Sequence, residues 1–219
     1  MKIFGIGLSR TGTTSLATAL ELLGFRSVHF PHDPATRQEV VTFLTSGGDE
    51  LRLSILDHCD ALSDTPIAAT FEALDRAYPD SRFILTVRER QSWLESCERW
   101  WRVLTEPVLR YPNHWLARYV TAIFPELYGS TQFERQRFAR AYEAHQERVG
   151  KHFSGRDDLL VLDVTSGDGW PALCRFLGRP PPGTPFPCAN RGPRSSQEGW
   201  VGLLGDHAAR PGTGARPTT

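Results

Sequence analysis

The sequence predicts an α/β protein with three layers, in which helices flank a parallel β-sheet. Short apolar runs, typical of buried parallel strands, alternate along the chain with segments that place apolar residues at helical spacing. None of these runs is joined to the next by a hairpin signal. A glycine-bounded loop separates the first apolar run from the first helical segment. Together these three observations favour strand–helix–strand units.

Each element follows from its own pattern. The apolar or β-branched runs predict strands at residues 2–8, 25–30, 60–63, 82–87 and 159–164. Helical spacing and end signals predict helices at residues 13–23, 34–44, 50–59, 67–78, 91–101, 133–153 and 170–177.

The composition is that of an ordinary globular protein, with 40% hydrophobic and 23% charged residues over 219 positions. Lys plus Arg and Asp plus Glu both number 25, so the net charge is zero. A neutral chain has no long-range attraction to nucleic acid or to an acidic membrane, and we expect neither as a partner. An anion site would have to be built from a few placed groups.

The four cysteines show neither a CxxC pair nor a zinc spacing, which predicts reduced thiols and a cytoplasmic protein. They are Cys59, Cys97, Cys174 and Cys188. The apolar run at the N-terminus is too short for a signal peptide or a membrane span.

The loop at residues 7–14, Gly-Leu-Ser-Arg-Thr-Gly-Thr-Thr, has the architecture of a phosphate cradle. It connects a strand to a helix N-terminus, where backbone N–H groups and the helix dipole favour an anion. The spacing matches G-x-x-x-x-G, which makes the predicted fold similar to that of P-loop nucleotide kinases. Thr-Thr stands where a Walker loop has Lys-Ser or Lys-Thr.

The missing lysine disfavours a kinase or NTPase, which uses it on the β/γ-phosphates together with Mg²⁺. The nearest cation is Arg10, two residues before Gly12. A sulfuryl group carries less charge than a phosphoryl group, so one flexible cation and backbone donors could serve it without a metal.

A second candidate anion site follows the predicted strand at residues 82–87. Arg88 ends this strand and Ser96 lies eight residues later. Ligands of parallel α/β sheets bind beyond the carboxyl ends of strands, and a guanidinium fork suits a phosphate.

Both motifs resemble those of sulfotransferases that use 3′-phosphoadenosine 5′-phosphosulfate (PAPS). The run at residues 9–14 resembles their 5′-phosphosulfate loop, usually of the Pro-Lys-Ser-Gly-Thr-Thr type, and the Arg88 and Ser96 pair resembles their 3′-phosphate site. Residues 64–66, 83–88, 169–174 and 185–187 are similar to those of a compact, soluble sulfotransferase-like group.

The resemblance implies transfer of a sulfuryl group from PAPS to a hydroxyl or amine of a small-molecule acceptor, with 3′,5′-bisphosphoadenosine as the product and no metal. It implies that the cofactor is bound by Ser9, Arg10, Thr11, Gly12, Thr13, Thr14, Arg88 and Ser96. Arg10, which replaces the usual Lys, is the expected catalytic cation. Arg cannot lose its proton as Lys can, so this replacement leaves a second possibility open, a non-catalytic relative that binds the nucleotide. A phosphotransferase is the other alternative.

The resemblance, with the Asp-Thr-Pro spacing, also implies a base. Asp64 stands two residues before Pro66, and relatives place a His or Glu base just before a similar Pro. The alternative is that Asp64 caps the helix starting near Pro66. His29, His32 and His58 are the next candidates. His145, on a long amphipathic helix, is more typical of a structural histidine.

The domain organisation follows from composition. Residues 1–190 form one sulfotransferase-like P-loop domain. Within it, residues 99–130 are rich in aromatics, are interrupted by prolines and lack a predicted strand, so they could cap the acceptor side. Residues 191–219 are rich in Pro, Gly and Arg, which predicts a disordered tail.

Overall fold

Five parallel strands form the central sheet of the computed structural model, which describes residues 1–167 and 169–188. The strands are β1 (Ile3–Gly5), β2 (Ser27–His29), β3 (Ala61–Ser63), β4 (Arg82–Thr86) and β5 (Leu159–Leu162). Their order across the sheet is β2-β3-β1-β4-β5, and every pairing is parallel. The predicted parallel sheet is therefore confirmed.

Helices connect the strands. They are α1 (Thr13–Leu22), α2 (Pro34–Ser46), α3 (Phe71–Ala77), α4 (Arg90–Trp100), α5 (Glu106–Leu109), α6 (Trp115–Tyr128), α7 (Arg135–His152) and α8 (Trp170–Leu177). Asp33 caps α2, its side chain accepting from the Thr36 N–H at 3.0 Å, and Gly47 ends that helix in a left-handed conformation.

Alternate strand residues bury themselves in two separate cores, which confirms the three layers. On one face of the sheet, Phe4, Leu62 and Phe83 pack with side chains of α3, α4, α6 and α7. On the other face of the sheet, the residues next to these along the same strands pack with side chains of α1 and α8. The sheet is therefore buried on both sides, as its nearly continuous apolar strands require.

The helix predicted at residues 50–59 is wrong. This segment contains only a 3₁₀ turn, Ser54–Asp57. Leu51, Leu53 and Leu56 are buried at a spacing that no α-helical face provides. Side chains of other elements satisfy its backbone instead: the Tyr78 hydroxyl accepts from the Leu53 N–H, and a Glu39 carboxylate accepts from the next N–H.

The helix predicted at residues 67–78 is divided. A 3₁₀ turn, Ile67–Ala69, precedes α3, because the backbone of Thr70 (φ −120°) leaves the helical region between them. Residues 99–130 consist of the end of α4, a π-helical turn, Trp101–Thr105, and helices α5 and α6. The predicted tail at residues 191–219 lies outside the described residues.

Close packing joins the first strand to the fourth where both end. The Thr11 hydroxyl donates to the Leu8 carbonyl at 2.7 Å and lies 2.6 Å from the Thr86 hydroxyl. Gly7 sits between these groups. A methyl group at Gly7 would lie 2.0 Å from Thr86 Oγ1 and 2.5 Å from the Thr86 carbonyl oxygen. This position therefore admits no side chain.

We expect Gly7→Ala to lower the free energy of unfolding by roughly 1–3 kcal/mol or more, because a backbone carbonyl and a buried strand have to move. The matched control is Gly150→Ala on α7, where the new methyl group would meet nothing within 4 Å. In this control, the free energy of unfolding should rise by about 0.5–1 kcal/mol, because alanine has a better helix propensity than glycine. Urea unfolding measures both, and a Gly7→Ala variant as stable as wild type would contradict the packing.

Candidate functional site

Four segments bring the predicted site residues to one edge of the sheet. The phosphate loop follows β1, His29 ends β2, Asp64 directly follows β3, and Arg88 lies just after β4. Because all the strands are parallel, their carboxyl ends meet at this edge. Residues far apart in sequence thus surround the N-terminus of α1.

The loop turns sharply into α1 through two left-handed residues, Arg10 (φ 75°) and Gly12 (φ 106°). A side chain at Gly12 would also meet Val164 at 2.2 Å. Because Gly12 is the N-cap residue, no side chain caps the helix. The helix dipole and the backbone donors of the first turn are therefore directed at the loop.

The side chains of Ser9 and Thr11 fix the loop from beneath. The Thr11 hydroxyl is held by Leu8 and Thr86, and the Ser9 hydroxyl donates to Asp64. The Trp93 indole N–H donates to the Ser9 carbonyl at 2.9 Å. The Thr11 N–H also donates to the Leu8 carbonyl, at 3.2 Å, so Thr11 shapes the loop with both its hydroxyl and its N–H.

Arg10 and Arg88 meet beside Ser96, which α4 carries. Arg10 Nε donates to Ser96 Oγ at 3.1 Å, and Arg88 Nη1 lies 3.5 Å from the Arg10 carbonyl oxygen. The Tyr142 hydroxyl accepts from the Arg88 N–H at 3.0 Å and contacts the Arg88 carbonyl, which fixes the backbone there. The two predicted anion sites are therefore contiguous.

The positive charge at this point is not neutralised by an ion pair. Among the described residues, no carboxylate lies within ion-pairing distance of Arg10 or Arg88. The pKa of Arg10 is lowered, chiefly by burial. Cys97 and Asp64 oppose this effect, and the like charges of Arg88 and Arg99 add to it. A half-buried cluster of this kind fits an anionic ligand that carries more than one phosphate.

Asp64 is buried beneath the loop in the left-handed conformation (φ 71°). Its two oxygens accept from four groups, which are the hydroxyls of Ser9 and Thr13, the Thr65 N–H and His29 Nε2. Burial alone would raise the pKa of Asp64, but the hydrogen bonds from His29, Ser9 and Thr13 outweigh it and hold the pKa well below its usual value. The group is therefore a carboxylate at neutral pH.

The alternative role of Asp64 as a helix cap is wrong. The 3₁₀ turn that follows begins after Pro66 without any side-chain cap, and no side chain caps α3. Within the described ranges, the Asp64 side chain accepts from a single backbone N–H, that of Thr65, at 2.7 Å. Its catalytic role stays a prediction.

The four candidate histidines occupy different surroundings. His29 contacts Asp64, Thr13 and Thr14, whereas His32 stacks on Trp115 with ring centroids 5.7 Å apart. His58 ends the 3₁₀ turn Ser54–Asp57 and is exposed. His145 Nε2 lies 2.7 Å from the Ile6 carbonyl oxygen in the core, where burial lowers its pKa to about 4. This environment supports the structural role predicted for His145.

Sequence reasoning missed the residues that support the site from outside the motifs. Nothing in the spacing of Trp93 along the sequence indicates its hydrogen bond to the loop. Tyr142 and Arg99 likewise carry no motif. Only the packing of α4 and α7 against the ends of β1 and β4 brings these residues to the site.

Comparison with known proteins agrees with this geometry. A family model described as a sulfotransferase domain matches residues 2–194. The chain belongs to the sulfotransferase family. A relative of this sulfotransferase, "Ava biosynthesis cluster protein M" from Aspergillus versicolor, is 28% identical over an aligned length of 215 residues. The match covers 85% of this chain and 80% of that protein.

Two further observations concern the whole sulfotransferase domain. None of the helices in the described ranges has both the length and the apolar character needed to cross a bilayer. Cys59, Cys97 and Cys174 are buried free thiols.

We expect the Asp64 carboxylate to make stability depend on pH. An Asp in the unfolded chain has a pKa of about 3.9. As the pH falls through this value, the unfolded chain binds a proton while the folded protein keeps its carboxylate, so the free energy of unfolding falls. Asp64→Asn should cost about 1–3 kcal/mol at neutral pH, and the difference from wild type should shrink as the pH falls from about 5 to 2. Denaturant titrations at stepped pH measure it.

The control is Asp60→Asn, because the hydrogen bond from Arg26 lowers the pKa of this partly exposed carboxyl group to about 2. Added salt should weaken the Asp60 effect and leave that of buried Asp64. A difference between wild type and Asp64→Asn that is constant with pH would show that folding does not lower the pKa of Asp64, which would contradict the prediction.

Proposed function

We propose that this protein transfers the sulfuryl group of PAPS to a hydroxyl or amine of a small-molecule acceptor. The observation that carries the proposal is the contact of Arg10 with both Ser96 and Arg88, next to the N-terminus of α1, which no side chain caps. In the described ranges, neither arginine has an ion-pairing carboxylate. PAPS has a phosphate at each end of its ribose, and this site offers one cationic group from each of two adjoining segments.

The residues fit the donor in two groups. The 5′-phosphosulfate would be bound by the loop, through the backbone N–H groups of Ser9 and Gly12 and through Arg10, Thr13 and Thr14. Thr11 would hold the loop in shape through its bonds to Leu8 and Thr86. The 3′-phosphate would be bound by Arg88 and Ser96. When bound, PAPS supplies an activated sulfuryl group, and the other product is 3′,5′-bisphosphoadenosine.

Arg10 would act on the reaction itself. Its backbone belongs to the loop, while its Nε donates to Ser96, so one side chain spans the two proposed phosphate subsites. A cation at this position stabilises the charge that develops on the leaving phosphate oxygen, an effect that is largest in the transition state.

A phosphotransferase is the weaker candidate. The position of the Walker lysine is occupied by Thr13, whose hydroxyl donates to Asp64 at 2.7 Å and supplies no positive charge. A non-catalytic nucleotide-binding relative would keep the same arginines, so the rate measurements below separate it from the enzyme.

The acceptor side would be formed by residues 99–130. On α6, Trp115 stacks on His32, and the Tyr119 hydroxyl donates to the Pro31 carbonyl at 3.4 Å. These contacts link the proposed cap to the segment after β2, beside His29. The name of the A. versicolor relative places that protein in a biosynthesis cluster, which supports a small-molecule acceptor here. The buried free thiols support a cytoplasmic location.

Thermal shifts test the donor site. We expect 3′,5′-bisphosphoadenosine at a hundred times its Kd to add about 2.7 kcal/mol of stability, and ATP with Mg²⁺ to add much less. Arg88→Ala should reduce the preference for the bisphosphate over adenosine 5′-phosphate by more than about tenfold, because a charge-assisted hydrogen bond contributes roughly 1.5–3 kcal/mol.

The matched control is Arg90→Ala, two residues after Arg88. It removes an exposed guanidinium that is paired with Glu143. It should keep the wild-type preference. Stabilisation by ATP with Mg²⁺ but not by the bisphosphate would favour a phosphotransferase. Sulfuryl transfer from PAPS should be insensitive to EDTA if no metal takes part.

Arg10→Ala should lower kcat by about 10²-fold or more while changing the Kd of 3′,5′-bisphosphoadenosine much less, because the positive charge acts mainly on the transition state. Arg10→Lys should restore most of the rate, since it keeps the charge. Labelled PAPS with steady-state kinetics gives kcat, and calorimetry gives Kd. Normal turnover by Arg10→Ala would show that Arg10 is not part of the site.

A further inference from the structure

We propose that His29 accepts the proton of the acceptor and that Asp64 is its positioning residue, an assignment that rests on the proposed sulfuryl transfer. The pair spans two neighbouring strands: His29 ends β2, and Asp64 follows β3 directly. His29 Nε2 lies 3.0 Å from Asp64 Oδ2. The same nitrogen lies 3.1 Å from the Thr13 hydroxyl and 3.3 Å from that of Thr14.

The contacts determine which nitrogen of His29 is basic. A neutral imidazole carries one proton, and a nitrogen facing a carboxylate oxygen at 3.0 Å donates it. The proton therefore resides on Nε2, and Nδ1 holds the lone pair. Within residues 1–167 and 169–188, Nδ1 has no hydrogen-bond partner.

Exposure separates the roles of the two side chains. The His29 side chain is 30% exposed, whereas that of Asp64 is 8% exposed. Both oxygens of Asp64 already accept hydrogen bonds from the protein, and its lowered pKa makes it a weak base. His29 can therefore receive a proton from a bound acceptor, and the adjacent carboxylate stabilises the imidazolium that forms.

Asp64 is the charged group that faces His29. Helix α1, which packs on β2, presents the hydroxyls of Thr13 and Thr14 there and has no acidic residue in its first turn. On the loop, Arg10 is close enough to Asp64 for the two charges to interact. Further along the chain, Asp33 caps α2 and His32 directly precedes it.

The other histidines lack this arrangement. His32 Nδ1 is held by the Phe30 carbonyl at 2.7 Å and its ring lies against Trp115, with no carboxylate partner in the described structure. His58 is exposed away from the loop.

The proton transfer balances as follows. The acceptor oxygen forms a bond to sulfur while the bond between sulfur and the 5′-phosphate oxygen breaks, and that oxygen leaves with the electron pair. The acceptor's proton moves to His29 Nδ1, which gives an imidazolium paired with the Asp64 carboxylate. The proton is later released to solvent, and the products are the sulfate ester and 3′,5′-bisphosphoadenosine.

Nitrogen NMR of the histidine side chains tests the pair without turnover. In protein labelled with ¹⁵N-histidine, the signal missing from His29→Gln identifies His29. We expect neutral His29 to carry its proton on Nε2. In Asp64→Asn, the asparagine amide can donate to Nε2, so the proton should move to Nδ1 and the basic lone pair should turn inward. A wild-type tautomer protonated on Nδ1, or an unchanged tautomer in Asp64→Asn, would overturn the pairing.

Kinetics test the catalytic assignment, with release of labelled sulfate from PAPS to water and transfer to 2-naphthol as the probes. His29→Gln and Asp64→Asn should each lower kcat by roughly 10²–10⁴ and keep the Kd of 3′,5′-bisphosphoadenosine within a few-fold. The acidic limb of the pH–rate profile, present in wild type, should disappear in His29→Gln. His58→Gln is the control and should keep both rate and profile.

The outcomes separate this proposal from the proposed function. Transfer by wild type that persists in His29→Gln with the same pH–rate profile would overturn the role of His29 and leave the sulfotransferase assignment intact. A wild-type protein that binds 3′,5′-bisphosphoadenosine but transfers to neither probe would overturn the catalytic roles. A protein that does not bind it at all would overturn the proposed function itself.

Discussion

The buried carboxylate of Asp64 organises the functional edge of this protein. It accepts from Ser9 in the loop, Thr13 at the start of α1, His29 at the end of β2 and Thr65 in its own turn. A buried charge is tolerated only when its hydrogen-bonding capacity is filled, so these donors are held in place by the cost of leaving Asp64 unsatisfied. One side chain therefore fixes the relative positions of three segments.

This arrangement also explains why the nearby positive charge remains available. Asp64 takes its partners from hydroxyls, a backbone N–H and an imidazole, and it forms no ion pair with Arg10. Arg10 instead donates to Ser96, and Arg88 lies against the carbonyl oxygen of Arg10. The site thus separates its charges: the negative group lies beneath the loop, and the positive groups lie beside it, where an anion can approach.

The fold makes this separation possible through parallel strands alone. With the order β2-β3-β1-β4-β5, the loop after β1 lies between the carboxylate side, contributed by β2 and β3, and the arginine side, contributed by β4 and α4. The close approach of Gly7 to Thr86 and the indole of Trp93 hold the loop at this junction. The chain therefore keeps the sulfotransferase framework although Arg10 replaces the usual lysine.

Local signals in the sequence were sufficient for the parallel sheet and for the glycine-containing turn from β1 into α1, because strand hydrophobicity and glycine spacing are read along the chain. They failed at residues 50–59, where the side chains of Glu39 and Tyr78 satisfy the backbone. They also left Asp64 between two roles. The meeting of Arg10 with Ser96 and of His29 with Asp64 joins residues 86 and 35 positions apart, a proximity that strand order creates and local sequence does not encode. The sequence by itself determined which groups the protein carries, and the tertiary structure decided which of them touch.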